Sequence, residues 1–144
     1  MFSKTCEYAI RALIFIGQQT QEGHRVGVKG IAEGIDSPEY FIAKILQELS
    51  RKGFVQSMKG PNGGFFLSDE NKTIPLAKLV REIDGDKLFT ACAMGLKECS
   101  ETRPCPLHHK FKATKDAWIH TLETSTLADL VESVEQDEAF LKHP

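Results

Sequence analysis

The sequence predicts a mainly α fold with a small β wing: a winged helix-turn-helix extended by a long dimerisation helix. Three observations lead there. A helix with an apolar stripe begins at the clearest start signal in the chain, Ser37-Pro38. A run of turn formers, Gly60-Pro61-Asn62-Gly63-Gly64, then separates two short strand-like segments, and a later stripe passes through Phe111, Trp118, Ile119 and Leu122. The 144 residues, 41% hydrophobic and 26% charged, suit one compact unit with a protruding element. Within that unit, residues 1–70 are expected to form the winged helix-turn-helix, residues 71–105 a connecting helix and a cysteine loop, and residues 106–144 the dimerisation helix and C-terminal tail.

The elements follow in order. Ala9, Ala12, Leu13 and Ile16 keep helical spacing, and Ser3 and Thr5 are available as caps, so a first helix is predicted from about Ser3 to Gln18, ending in the polar stretch Gln19 to Arg25. Val28, Ile31 and Ala32 suggest a short second helix that stops at Gly34. Ser37 is read as an oxygen cap in front of Pro38, whose fixed φ suits a first helical turn. Ile42, Ile45, Leu46 and Leu49 then line one face until Gly53 closes the helix. Helix, turn and capped helix is the order of a helix-turn-helix. Phe54 to Met58 and Phe65 to Ser68 read as strands around the Lys59 to Gly64 loop, and a hairpin in this position is a wing. Thr73 to Asp84, with Pro75 near its start, reads as a further helix. Residues 85–105 lose periodicity, and a helix of four to five turns is expected from Pro106. Its apolar stripe is too long for a small domain to cover, and the simplest burial is against a symmetry mate, which predicts a homodimer. Leu127 to Val134 is a last short helix, after which the acidic tail is expected to fray.

The formal charge of -2 excludes a uniformly basic nucleic-acid coat. Residues 1–67 nevertheless carry eight Lys/Arg against six Asp/Glu, and residues 68–144 carry ten against fourteen, so the positive balance sits in the predicted DNA-binding half. The apolar run Ala12 to Ile16 is too short to span a membrane and lacks a secretory cleavage pattern, which predicts a cytoplasmic protein. Four cysteines in that compartment point to metal binding or redox sensing rather than to a disulfide framework. An enzyme is not expected: the cysteines have no evident base partner beyond His108 and His109, and no phosphate-binding glycine loop precedes a helix.

In a helix-turn-helix the second helix enters the major groove of double-stranded DNA with its N-terminal side chains at the base edges. That points to Ser37, Glu39 and Tyr40, with Lys44 as a groove or phosphate contact. Lys59 at the base of the wing and Lys4 near the first helix are candidates for phosphate contacts. Asn62, with Gly63 and Gly64 beside it, would let the wing backbone approach a groove. The bland alternatives are a core Tyr40 and a solvated Lys44.

Cys92, Cys99 and Cys105 are separated by six and then five residues in an irregular loop. Thiolates on such a loop can wrap an iron-sulfur cluster. Structural zinc sites normally use ligand pairs two to four residues apart, which this loop lacks. His108, or a residue from elsewhere, is available as a fourth ligand, and the bland reading is three unligated thiols that act as redox sensors or not at all. Cys6, on the first helix, reads as a small buried apolar residue.

Taken together, Ser3-Lys4 with Tyr8-Ala9, the Ser37-Pro38-Glu39-Tyr40 helix start, the Lys59-Gly60-Pro61-Asn62-Gly63-Gly64-Phe65 wing and the three cysteines followed by Leu107-His108 resemble the Rrf2 family of winged-helix regulators, in its IscR-like and NsrR-like branches. The resemblance covers almost the entire chain. It implies a homodimeric transcriptional regulator, a repressor, that binds inverted repeats in promoters and holds a 2Fe-2S or 4Fe-4S cluster sensitive to redox state, iron-sulfur status or nitric oxide. The alternative within the family is a cluster-free regulator responding by thiol oxidation or through a protein partner. The first cysteine gap, six residues here, is longer than is usual in those branches. By this resemblance the metal ligands are Cys92, Cys99, Cys105 and His108, with Glu7 of the other subunit as the rival fourth ligand.

Overall fold

The structure, a computed structural model, describes residues 1–21 and 23–144. Helix α1, Lys4–Gln21, is the central element, and it runs on past Gln18 where the loss of apolar spacing suggested an end. Glu22, in the stretch expected to terminate it, lies outside the described residues. The helix buries Cys6, Ala9, Ala12, Leu13 and Ile16 completely, a spacing of three and four residues that keeps one face inward.

The turn between α2, Val28–Gly34, and α3, Glu39–Arg51, differs in one respect from the sequence reading. Pro38, not Ser37, is the N-cap of α3, with extended backbone and no side-chain cap bond. The Ser37 hydroxyl is instead enclosed without a hydrogen-bond partner. The reversal is made at Asp36, whose φ of 54° puts it in the left-handed region that Asp tolerates better than most residues. Ile42, Ile45, Leu46 and Leu49 bury the inner face of α3, as their spacing predicts. The helix ends where Gly53 takes φ 83°, a conformation that costs a residue without Cβ nothing.

The wing is a two-stranded antiparallel sheet, β1 (Gln56–Met58) and β2 (Gly64–Phe66), with Gln56 opposite Phe66 and Met58 opposite Gly64. Both strands are shorter than the sequence suggested. An isolated bridge extends the sheet on its other side, where Val26 and Phe65 exchange backbone hydrogen bonds of 3.1 and 2.8 Å. Thr20 Oγ1 accepts the amide of Leu67 at 3.1 Å, so the C-terminal end of α1 also holds the strand that leaves the wing.

The helix expected from Thr73 to Asp84 begins only after Pro75, and a short helix that the sequence did not suggest precedes it. A short α4, Asp69–Lys72, has a reciprocal capping box between Ser68 and Asn71, and α5, Leu76–Asp84, starts after Pro75. Buried Asn71 also donates to the Gly53 carbonyl at 2.8 Å, which fixes α4 to the end of α3. After α6, Lys87–Thr90, and the cysteine loop come α7, His108–Thr124, and α8, Leu127–Glu135, the latter capped by Thr126 and Asp129. Helix α7 packs on α5, while α8 returns to α1. Gly17 makes that return possible: a Cβ there would lie 2.6 Å from Val131 Cγ2.

The tail does not fray as predicted. Arg11 Nη1 donates both to the Ile35 carbonyl in the helix-turn-helix turn and to the Leu141 carbonyl, at 2.9 and 3.2 Å. Lys142 Nζ donates to the Glu33 carbonyl at 3.0 Å, and Leu141 packs on the core. Charge-assisted bonds to carbonyls at a helix end satisfy groups the helix leaves open, which the acidic composition of the tail concealed.

Candidate functional site

Two regions carry the residues singled out by the sequence. The first is the outer surface of α3 and the wing. Tyr40 is 70% exposed and stacks on Phe41, 43% exposed, with ring centroids 4.4 Å apart, so Tyr40 is not a core residue. Glu39 and Lys44 are exposed beside it. Ser37, in contrast, does not present its hydroxyl to this surface. Lys59 and Asn62 are exposed at the base and tip of the wing. Gly63 has an internal reason to be glycine: a Cβ would lie 2.1 Å from the Met58 carbonyl oxygen, far inside contact distance. The tight tip therefore projects Asn62 from a fixed backbone. Lys4 is exposed and pairs with Glu7 at 3.2 Å, a helix-surface ion pair of the kind that contributes little stability.

The second region is the cysteine loop between α6 and α7. Two contacts anchor the chain that leads into it. Lys115, buried on α7, donates to the Ala91 carbonyl at 3.1 Å, directly before Cys92. Asp84, at the end of α5, accepts the backbone amide of Ser3 at 2.9 Å and also bonds its hydroxyl, which joins the N-terminus of α1 to the chain entering the loop. Cys92 and Cys105 are buried and Cys99 is partly so. The amides of Leu96 and Met94 directed at Cys92 hold its thiol below the ordinary range, with smaller contributions from the Cys105 thiol and the Gly95 amide. The Met94 amide lies 3.4 Å from the sulfur. Cys6 is the opposite case: burial first, and then nearby Asp84, push its thiol up to about 12, which leaves it a protonated core residue, as the sequence reading had it.

His108, at the first turn of α7, is buried, with Nδ1 3.5 Å from Cys99 Sγ. Its Nε2 is enclosed and makes no well-formed hydrogen bond, although Glu101 Oε2 stands 3.5 Å away. Lys112 holds that carboxylate at 3.3 Å and is itself held by Asp116 at 2.7 Å. Cys99, Glu101, His108 and Lys112 share the wall of a cavity of about 390 Å³, whereas Cys92 lines a second one of about 600 Å³ with Phe111 and Trp118.

The four side chains thus form two pairs, Cys92 with Cys105 and Cys99 with His108, and among the described residues no three His, Cys, Asp or Glu groups converge on one point. That arrangement does not suit a single metal ion, which needs its ligands around one centre. An iron-sulfur cluster takes its ligands at separate irons, so two soft pairs on one loop fit it, and amides directed at a cysteine sulfur belong to the same chemistry. The buried, unsatisfied imidazole nitrogen marks the site as one whose polar groups are incompletely used by the protein alone. Glu101, Lys112 and Lys115 carried no signal in the sequence, because their roles arise from how the loop folds onto α7.

The sequence profile of Rrf2, described as iron-dependent transcriptional regulator, matches residues 2–133. The chain belongs to the Rrf2 family. Members of this family are DNA-binding transcriptional regulators rather than enzymes. The Rrf2 chain is 34% identical over 143 residues to a helix-turn-helix-type transcriptional regulator of Aquifex aeolicus, covering 97% of this chain and 96% of that one. It is 31% identical over 137 residues to the regulator NsrR of Geobacillus kaustophilus, covering 94% and 92%. Among solved structures it resembles CymR, the global cysteine regulator of B. subtilis, with a TM-score of 0.71, 21% identity and coverage of 92% and 96%. It also resembles T. potens IscR, with a TM-score of 0.69, 21% identity and coverage of 96% and 91%. At these identities the two structures establish the winged-helix fold of this Rrf2 protein and nothing finer. No helix among the described residues is long and apolar enough to cross a membrane.

Proposed function

We propose that this chain is a homodimeric cytoplasmic repressor that binds inverted repeats in promoter DNA through α3 and the wing, and senses redox state, iron-sulfur status or nitric oxide through a 2Fe-2S or 4Fe-4S cluster on the cysteine loop. The observation that carries the reading is the His108 imidazole, buried with Nδ1 against Cys99, on the same loop as Cys92 and Cys105. Cys92, Cys99, Cys105 and His108 would hold the cluster, which when bound supplies a centre reactive toward oxidants and nitric oxide. Glu7 already has a partner in Lys4, and its candidacy as a ligand donated across the dimer rests on the resemblance alone. The dimer reading is supported by Leu107, 44% exposed, and Phe111, 41% exposed, at the start of α7.

The deciding experiment is an anaerobic visible spectrum with iron and sulfide analysis on the wild type and on Cys92→Ala, Cys99→Ala, Cys105→Ala, His108→Ala and Glu7→Ala. Charge-transfer bands that vanish with each cysteine and change with only one of His108 and Glu7 are expected, the responsive one being His108. A colourless, iron-free wild type after reconstitution would refute the cluster. It would favour a second reading, a cluster-free regulator responding by thiol oxidation, for which the backbone amides directed at the Cys92 sulfur speak.

On the DNA side, Lys4, Glu39, Tyr40, Lys44, Lys59, Asn62 and Gly63 form the interface in this reading, and Ser37 acts through the turn rather than by its enclosed hydroxyl. Lys59→Ala is expected to weaken binding to all duplexes alike and to lower the salt slope of log K by about one, because one phosphate contact releases about one counterion. An unchanged slope in anisotropy titrations would remove Lys59 from the interface.

A further inference from the structure

We infer that Glu101 is a positioning residue for His108: its carboxylate, 3.5 Å from Nε2, keeps the ring proton on that nitrogen and so leaves the Nδ1 lone pair, 3.5 Å from Cys99 Sγ, free for a metal on the cysteine side. The inference rests on the cluster reading above and adds to it a residue that lies outside the three-cysteine and histidine set.

The geometry argues in three steps. A neutral imidazole has one N–H and one lone pair, and the partner of one nitrogen decides the state of the other. A carboxylate is an acceptor only, so at Nε2 it favours the tautomer with the proton there. In that tautomer the Cys99 thiol, 3.5 Å from Nδ1, faces the lone pair. Carboxylate contact at the far nitrogen of a metal-bound histidine is also the general way in which ring orientation and ligand basicity are set.

The Glu101 side chain is 63% exposed, but its carboxylate has a second partner besides the ring. Lys112 grips Glu101 Oε1 at 3.3 Å and is gripped in turn by Asp116 at 2.7 Å, one helical turn along α7. These ion pairs bias Glu101 toward the ring, and His109 stands edge-on to His108 with centroids 5.1 Å apart. The 3.5 Å separation exceeds a good hydrogen bond by about half an ångström, so the contact acts on the ring as a charge at close range.

The test uses the full chain labelled with ¹⁵N-histidine. In the metal-free protein at about pH 8, above the ordinary histidine range, long-range ¹H–¹⁵N correlation is expected to find His108 protonated at Nε2. Glu101→Ala should give a mixture of tautomers, and Glu101→Gln, which keeps an acceptor oxygen, should restore the wild-type pattern. After anaerobic reconstitution the Ala variant should lose iron and sulfide to a chelator about 10-fold faster or more, with Gln again recovering most of the difference. A merely structural role for Glu101 would not move the tautomer. A proton on Nδ1 in the wild type, or an Ala variant that loads and retains its cluster like the wild type, overturns the inference while the cluster reading stands. A wild type that takes up no iron overturns both.

Discussion

Phe54→Ala is expected to be the most destabilising single truncation near the DNA-binding elements, at about 3–5 kcal/mol. Phe54 is 1% exposed and follows the glycine that ends α3, with its amide donating to the Leu49 carbonyl at 2.9 Å. Its ring belongs to the same core as Leu46, Leu49 and Val55, so removing it leaves a cavity where the recognition helix hands over to the wing. Against a total stability of about 5–15 kcal/mol such a loss is a large fraction. The melting temperature should fall by about 6–20 °C, at about 2–4 °C per kcal/mol for a chain near this size. Phe54→Leu should recover most of it. A loss under about 1 kcal/mol in urea titrations would mean that the surroundings collapse into the space.

The second large effect is on binding rather than on stability. In Gly63→Ala the new Cβ would stand 2.1 Å from the Met58 carbonyl oxygen and 2.9 Å from that of Gly60, both backbone atoms that no rotamer change can move aside. The hydrogen bond from the Gly63 amide to the Gly60 carbonyl, 2.9 Å long, must open with the tip. Because the wing is exposed and lies outside the main core, we expect the melting temperature to change by only a few degrees. Affinity for a promoter duplex selected with the wild type should fall about 10-fold or more, equivalent to about 1.4 kcal/mol. Equal affinity in anisotropy measurements would mean that the wing tip does not touch DNA. Asn62→Ala separates the two causes, since it removes a side chain without forcing the backbone.

The elements that the sequence revealed are those whose signals are local. Ile42, Ile45, Leu46 and Leu49 announce α3 by spacing, Gly53 announces its end by the conformation it takes, and the glycine-rich tip announces the wing. Cap chemistry was legible only in part. Ser37-Pro38 has the composition of a capped start, but Asp36 takes the left-handed conformation and turns the serine inward, and nothing in the order of residues distinguishes the two outcomes. The tail was misread because its anchors, Arg11 and the carbonyls of Ile35 and Glu33, are more than a hundred residues away from it in the chain. At the cysteine loop the thiols and His108 stood out by residue type. Their pairing did not, and neither did Glu101, whose place beside the ring depends on Lys112 and Asp116 repeating one turn apart on α7.

Helix α1 touches both working ends of the molecule. Its first turn is fastened to Asp84, at the approach to the cysteine loop, and its last turn holds the chain leaving the wing through Thr20 and Leu67. Its 18 residues span about 27 Å at 1.5 Å per residue. The two halves are therefore not interchangeable modules joined by a linker, because each uses the same rod as part of its own wall. A chimaera that kept this DNA-binding half and borrowed another sensor loop would have to inherit both faces of one helix, so recombination between relatives should succeed only when Ser3, Asp84, Thr20 and their neighbours travel together.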